Sequence, residues 1–146
     1  MLGDAPPAQL GVQLAASAGL VVSMTVVHGV GLVATSRLLR LRKDRLREWD
    51  FGIRAVLLLA GLGLAVFTLH IVEILLFSLF YLAVGAIGSI EEALFYSASA
   101  YATLGRTADY FPADWRLIGA IEALVGFVLI GWSTAFMVST LNRIRE

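Results

Sequence analysis

Three long stretches of almost uninterrupted apolar residues divide this chain. They cover residues 10–35, 51–86 and 115–141. The hydrocarbon core of a bilayer is about 30 Å thick and is crossed by about 20 helical residues. Each stretch is therefore long enough for a transmembrane helix, and the second exceeds one simple crossing, which predicts tilt or an extension beyond the lipid. The pattern predicts an all-α membrane protein with three transmembrane helices.

A shorter segment of mixed polarity lies between the second and third stretches, over residues 90–114. Its apolar part, 90–103, is too short to cross the bilayer, which predicts a re-entrant or interfacial element. Ser89 and Glu92 have the spacing of a capping box, in which a hydroxyl caps a helix whose third residue is acidic. The negative C-terminal end of such a helix, placed towards mid-membrane, favours a cation there.

The composition points in the same direction. Of the 146 residues, 59% are hydrophobic and 15% are charged, whereas soluble domains carry about 45–50% apolar and about 25% charged residues. Lipid is therefore the expected solvent, and the length suits one small membrane domain. The absence of cysteine excludes disulfides and cysteine metal sites.

The basic residues predict an orientation in the membrane. All of the eleven except Arg106 and Arg116 lie in or beside the connection 36–50 or in the C-terminal segment 142–146. The positive-inside rule places both in the cytoplasm, and the N-terminus (1–9) and segment 90–114 outside, in a multi-pass protein of the inner cell membrane. The connection is either a solvated link or an amphipathic helix on anionic lipid. Nothing in this pattern suggests a nucleic-acid partner.

Two sequences resemble a known family of channels. EALFYSASAYATLG at 92–105 is similar to the pore helix and filter entrance of the tetrameric potassium-channel superfamily, and WRLIGAIEALVGFVLIGWSTA at 115–135 is similar to the inner helix of its bacterial three-span members. The resemblance implies a re-entrant pore helix and filter loop in 90–114, a pore-lining helix in 115–141 and a fourfold homotetrameric pore. In that family, backbone carbonyls and a threonine hydroxyl replace the water around the ion.

The resemblance also assigns functional positions. It implies a hinge glycine at Gly126 and a second small residue of the gating helix at Gly131. The selectivity filter that it implies contains Thr103, Leu104, Gly105, Arg106, Thr107 and Asp109.

This filter departs from the family pattern Gly-Tyr-Gly-Asp. Arg106 replaces the aromatic residue, Thr107 replaces the second glycine, and the spacing to Asp109 is one residue longer. A β-branched residue adopts the left-handed backbone of that glycine only at a cost of about 1–2 kcal/mol. We therefore expect a channel for monovalent cations, K⁺ or Na⁺, that is weakly potassium-selective or non-selective. The alternative is a non-conducting or sensor-type assembly whose filter is blocked by Arg106.

Ionisable residues within the spans form a second group of candidates: His70, Glu73 and Glu122. Such residues usually face a bundle interior and have a partner. His70 and Glu73 share a helix face at i and i+3, and Glu122 is expected to accept hydrogen bonds from Tyr101 or Ser97. Three interpretations remain open: His70 pairing with Glu73 or Glu122, a pH-sensing gate, or a metal site.

The remaining classes of function receive less support. Two or three potential ligands without a known geometry are too few to specify an ion, so the sequence assigns no metal and no cofactor other than a permeant cation. The only two histidines, His28 and His70, lie within apolar spans, and no serine or carboxylate pair has the spacing of a catalytic site. We therefore do not expect an enzyme.

Overall fold

Four helices make up the part of the chain that the computed structural model describes, which is residues 7–45, 51–104 and 115–145. They are α1 (Pro7–Arg45), α2 (Phe51–Ala83), α3 (Ile90–Tyr101) and α4 (Arg116–Arg145), and these ranges contain no strand. Three spans, Leu10–Arg40, Gly52–Ala83 and Arg116–Asn142, are long and apolar enough to cross a membrane. The prediction of an all-helical protein with three such helices is confirmed, and it indicates a transmembrane protein.

The long helices differ from the predicted ranges at most of their ends; α1 already begins at Pro7, and α4 runs from Arg116 to Arg145. α1 continues beyond residue 35 to Arg45, because the basic stretch that follows is rich in leucine, arginine and lysine and contains no helix breaker. The first ten residues of the predicted connection are therefore helical. α2 ends at Ala83 rather than at residue 86, because the chain turns at Gly85, whose φ is +67°.

The turn after α2 is a Schellman motif. The amide of Gly85 donates to the carbonyl of Leu82 at 3.1 Å, and the amide of Ala86 donates to that of Tyr81 at 2.9 Å. A glycine adopts the required left-handed conformation at little cost. The motif ends α2 and directs the chain towards α3.

α3 packs against both α2 and α4, and α1 packs against the same two long helices. The buried cluster at the centre contains Phe77 and Tyr81 of α2, Tyr96 of α3 and Leu129 of α4. The Tyr81 and Tyr96 rings meet edge to face, with centroids 5.1 Å apart. The Gln13 side chain on α1 accepts a hydrogen bond from the amide of Leu117 at 3.3 Å, which satisfies one free donor at the start of α4.

The outer faces of the long helices are apolar. Leu64 and Phe67 of α2 and Phe127 of α4 are all more than 60% exposed. A soluble protein rarely exposes large apolar side chains in such numbers, whereas lipid solvates them well. Exposure of this kind fits a protein that spans a membrane.

Candidate functional site

The short helix α3 begins at the predicted cap. Ser89 has an extended backbone, with φ −128° and ψ 149°, and its hydroxyl accepts a hydrogen bond from the amide of Glu92 at 3.2 Å. The predicted N-cap hydroxyl is therefore confirmed. Glu91 and Glu92 place negative charge in the first turn, where it interacts favourably with the helix dipole.

A buried carboxylate from α4 holds the middle of α3. Glu122 has no exposed surface. Its Oε2 accepts from the hydroxyl of Tyr81 on α2, and its Oε1 accepts from the hydroxyl of Ser97 on α3, each at 2.5 Å. We call Glu122, Tyr81 and Ser97 the Glu122 cluster. Both carboxylate oxygens are satisfied, and the cluster fastens α3 to the two neighbouring long helices.

A second buried carboxylate, from α2, holds the C-terminal end of α3. Oε2 of Glu73 accepts from the hydroxyl of Tyr101 at 2.5 Å, and Oε1 lies 2.8 Å from Nδ1 of His28 on α1. Nδ1 of His70 lies 3.1 Å from Oε2 of Glu73 and 2.8 Å from the Tyr101 hydroxyl. We call Glu73, His28, His70 and Tyr101 the Glu73 cluster. It joins α1, α2 and α3 at one point.

The contacts with Glu73 bear on which ring nitrogen of each histidine carries the proton. An ionised carboxylate only accepts hydrogen bonds, so beside an ionised Glu73 the Nδ1 atoms of His28 and His70 would each carry the ring proton. Nε2 of His28 lies 3.3 Å from the hydroxyl of Ser133 on α4 and can accept from it. Through this contact the Glu73 cluster reaches all four helices.

The sequence left open which of the ionisable residues pair with one another. In the structure they fall into two separate groups. His70 contacts Glu73, as their i, i+3 spacing indicates, and Glu122 belongs to the other cluster. Ser97 is a donor to Glu122, whereas Tyr101 donates to Glu73. His28 was not assigned to any site, because it lies 45 residues from Glu73 and its polar character within an apolar span was the only signal.

α3 ends in a second Schellman motif, which has threonine where the first has glycine. The amide of Thr103 donates to the carbonyl of Ala100, and the amide of Leu104 donates to that of Ser99, both at 2.9 Å. Thr103 has a φ of +57°, the left-handed conformation that a β-branched residue rarely adopts. Backbone strain of this kind concentrates at functional sites, and here it occurs at the first predicted filter position.

We expect Thr103→Gly to stabilise the protein by about 1–2 kcal/mol in equilibrium unfolding, because glycine removes the left-handed penalty. Thr103→Val is the matched control. It keeps the β-branch and removes only the hydroxyl, so it should give no comparable gain. A Thr103→Gly variant no more stable than Thr103→Val would show that the left-handed backbone carries no cost here.

Of the predicted filter positions, Thr103 and Leu104 lie within the described residues, and both are exposed. Gly105, Arg106, Thr107 and Asp109 lie outside the described residues. The described part of the predicted filter is thus the turn that closes α3.

The two predicted glycines of α4 have different surroundings. A Cβ at Gly126 would collide with the main chain of Tyr101, whose carbonyl carbon and Cα would both lie 3.0 Å away and whose carbonyl oxygen would be closer still. A Cβ at Gly131 would meet nothing within 4 Å. Close approach of the α3 backbone therefore explains the glycine at 126, and no such contact requires one at 131.

Comparison of the chain with protein-family models, with curated proteins and with solved structures finds no match. The class of protein rests on the fold and the site alone. The described chain is an all-α transmembrane protein in which two buried carboxylate clusters anchor a short helix between longer ones.

Proposed function

We propose that this chain is the subunit of a homotetrameric ion channel of the potassium-channel type, which conducts monovalent cations with weak potassium selectivity or none. The observation that carries the proposal is the anchoring of α3. The Glu122 cluster holds its middle and the Glu73 cluster holds its last residue, Tyr101. A pore helix needs such anchoring, because its C-terminal end must present a fixed partial charge to the ion.

The length and polarity of α3 support this role. Its 12 residues span about 18 Å at 1.5 Å per residue, which is too short for a bilayer of about 30 Å. Glu91 and Glu92 lie at its first turn, both exposed, where they concentrate cations at the outer mouth. The opposite end, beside Thr103, carries the negative end of the helix dipole. The charge along α3 thus favours a cation at both ends.

A homotetramer would provide packing partners for two exposed apolar side chains of this segment, one in the middle of α3 and one after its end. Phe95 on α3 is 74% exposed and Leu104 after it is 69% exposed in a single chain. One chain contributes one short helix and does not by itself enclose an axis. Four copies around an axis, with α4 innermost, form a pore and let the remaining apolar faces contact lipid. In this arrangement the exposed Arg37 and Arg40 of α1 lie on the cytoplasmic side, near anionic lipid head groups.

The expectation of weak selectivity comes from the sequence that follows the turn at Thr103. The amide of Leu104 bonds back to the carbonyl of Ser99, so the chain closes the helix at Thr103. A filter that strips water from K⁺ needs successive carbonyls directed at the axis. The closing turn engages the carbonyls of Ala98, Ser99 and Ala100, which precede the predicted filter. In the sequence that follows, Arg106 replaces the family's aromatic residue and Thr107 its second glycine, and this replacement is the argument for weak selectivity.

Reversal potentials in liposomes test the proposal directly. In mixed K⁺, Na⁺ and Cl⁻ gradients we expect comparable permeabilities for K⁺ and Na⁺ and exclusion of Cl⁻. Protein-free liposomes are the control, and native mass spectrometry in detergent should give four copies of the chain. Potassium selectivity as sharp as that of the family would refute the altered filter.

The absence of flux would favour the alternative of a filter blocked by Arg106. In that case Arg106→Tyr should produce flux in a tetramer of unchanged stability. A tetramer that stays closed in both forms would contradict conduction altogether, and a chain that is not tetrameric would overturn the proposed architecture.

A further inference from the structure

The only two histidines of the chain converge on one buried carboxylate. The chain has two histidines and no cysteine, and His28 and His70 come from different helices. Nδ1 of each points at Glu73, at 2.8 Å from Oε1 for His28 and at 3.1 Å from Oε2 for His70. One donor atom from each of the three side chains lies within 4.8 Å of the other two. Two imidazoles and a carboxylate with an open fourth position are a recurrent ligand set for Zn²⁺.

We propose that His28, His70 and Glu73 form a binding site for a divalent transition-metal ion of the Zn²⁺ type. This proposal does not rest on ion conduction. The ion would bind Nδ1 of both neutral imidazoles, and the single proton of each ring would then lie on its Nε2.

The ligand separations suit such an ion. Zinc binds imidazole nitrogen at about 2.0–2.1 Å and carboxylate oxygen at about 2.0–2.2 Å, so tetrahedral ligand atoms lie about 3.4 Å apart. Nδ1 of His28 lies 2.8 Å from Oε1 of Glu73, and Nδ1 of His70 lies 3.1 Å from Oε2. The three ligand atoms all lie within 4.8 Å of one another, so an ion would draw them together to the tetrahedral separation.

Two hydroxyl groups already lie within hydrogen-bonding distance of the proposed ligands, as is usual around a bound metal ion. A metal-bound imidazole usually donates its other ring N–H to an acceptor, and a metal-bound carboxylate is usually hydrogen-bonded in turn. Nε2 of His28 faces the hydroxyl of Ser133 at 3.3 Å, and the hydroxyl of Tyr101 donates to Glu73. With the metal bound at Nδ1, the proton of His28 moves to Nε2, and Ser133 becomes its acceptor.

Burial and ligand chemistry define which ions fit. His28 and Glu73 have fully buried side chains, whereas the side chain of His70 is 15% exposed. Imidazole ligands favour Zn²⁺, Co²⁺ and similar ions, whereas Ca²⁺ and Mg²⁺ prefer oxygen ligands. We therefore expect the site to discriminate against the latter two ions.

The test uses the full chain in detergent, without an affinity tag, titrated with Zn²⁺ or Co²⁺ salts. We expect one ion per chain, the visible absorption of tetrahedral Co²⁺, and an X-ray absorption spectrum of the Zn²⁺ form with two imidazole nitrogens. Since the chain has only two histidines, that spectrum identifies the site without any variant. Sub-stoichiometric binding, or a shell of oxygen ligands alone, would overturn the proposal.

Variants that still fold give an independent test of the proposed metal site. His70→Gln should weaken Zn²⁺ binding at least about tenfold, and Tyr101→Phe, which removes an outer-shell hydrogen bond, should weaken it about 10–100-fold. Glu122→Gln is the matched control, because it alters a buried carboxylate that accepts from the hydroxyls of Tyr81 and Ser97. It should leave the affinity unchanged. Equal affinity in His70→Gln and in the wild type would exclude His70 as a ligand and overturn the proposal.

Discussion

Replacing Glu73 by leucine should lower the free energy of unfolding by at least about 3 kcal/mol, because three donors lose their common acceptor. Glu73 is the shared acceptor for Nδ1 of His28, Nδ1 of His70 and the hydroxyl of Tyr101. Leucine would leave these buried donors without their carboxylate, and each unsatisfied donor costs about 1–3 kcal/mol. Equilibrium unfolding in detergent measures the effect.

Glu91→Leu is the control for this experiment, because Glu91 is an exposed carboxylate on α3. Its replacement should change stability by no more than about 0.5 kcal/mol, as is usual for surface positions. A double variant that also replaces His28 by leucine should recover part of the loss, because one orphaned donor is removed together with its acceptor. Equal stability of Glu73→Leu and Glu91→Leu would show that the Glu73 cluster does not hold the helices together.

Gly126→Ala should also be destabilising, by about 1–3 kcal/mol, the usual cost of inserting a methyl group into a packed core. The methyl group would collide with the main chain of Tyr101, and backbone cannot rotate out of the way as a flexible side chain can. The end of α3 would have to move away from α4. Because Thr103 follows two residues later, the same variant should reduce ion flux through the proposed pore.

Gly131→Ala is its matched control on the same helix, since a Cβ there meets nothing within 4 Å. Alanine has the higher helix propensity, so this variant should be stabilised by about 0.5–1 kcal/mol. Comparison of the two variants also distinguishes two roles for Gly126, close packing and the hinge that the resemblance implies. A hinge role alone predicts altered gating of Gly126→Ala with undiminished stability, whereas packing against Tyr101 predicts a loss of stability.

The elements that could be predicted from the sequence are those with local causes. The three long helices follow from runs of apolar residues, because any helix in lipid must be apolar over a fixed length. The start of α3 follows from the hydroxyl of Ser89 three residues before Glu92, and the structure contains that hydrogen bond. The i, i+3 spacing of His70 and Glu73 likewise placed them on one face, and they are in contact.

The ends of helices were less predictable for a physical reason. α1 runs on to Arg45 because no glycine or proline ends it, whereas the predicted span ends where the charges begin. A membrane boundary and a helix boundary have different causes, since the first depends on hydration and the second on backbone geometry. The left-handed turn at Thr103 gave no signal, because such turns are normally marked by glycine, as at Gly85.

The sequence by itself determined that the long helices are suited to lipid, how many of them there are, and where the short helix is capped. These properties depend on hydropathy, length and capping, which act over neighbouring residues. Only the tertiary structure decided which ionisable groups meet. Glu122 pairs with Tyr81 and Ser97, and Glu73 pairs with His28, His70 and Tyr101. These contacts join residues on different helices, and the way in which the helices pack determines which side chains face each other. The sequence supplied the carboxylates and the histidines, and the packing of α1 and α3 against α2 brought them to one point.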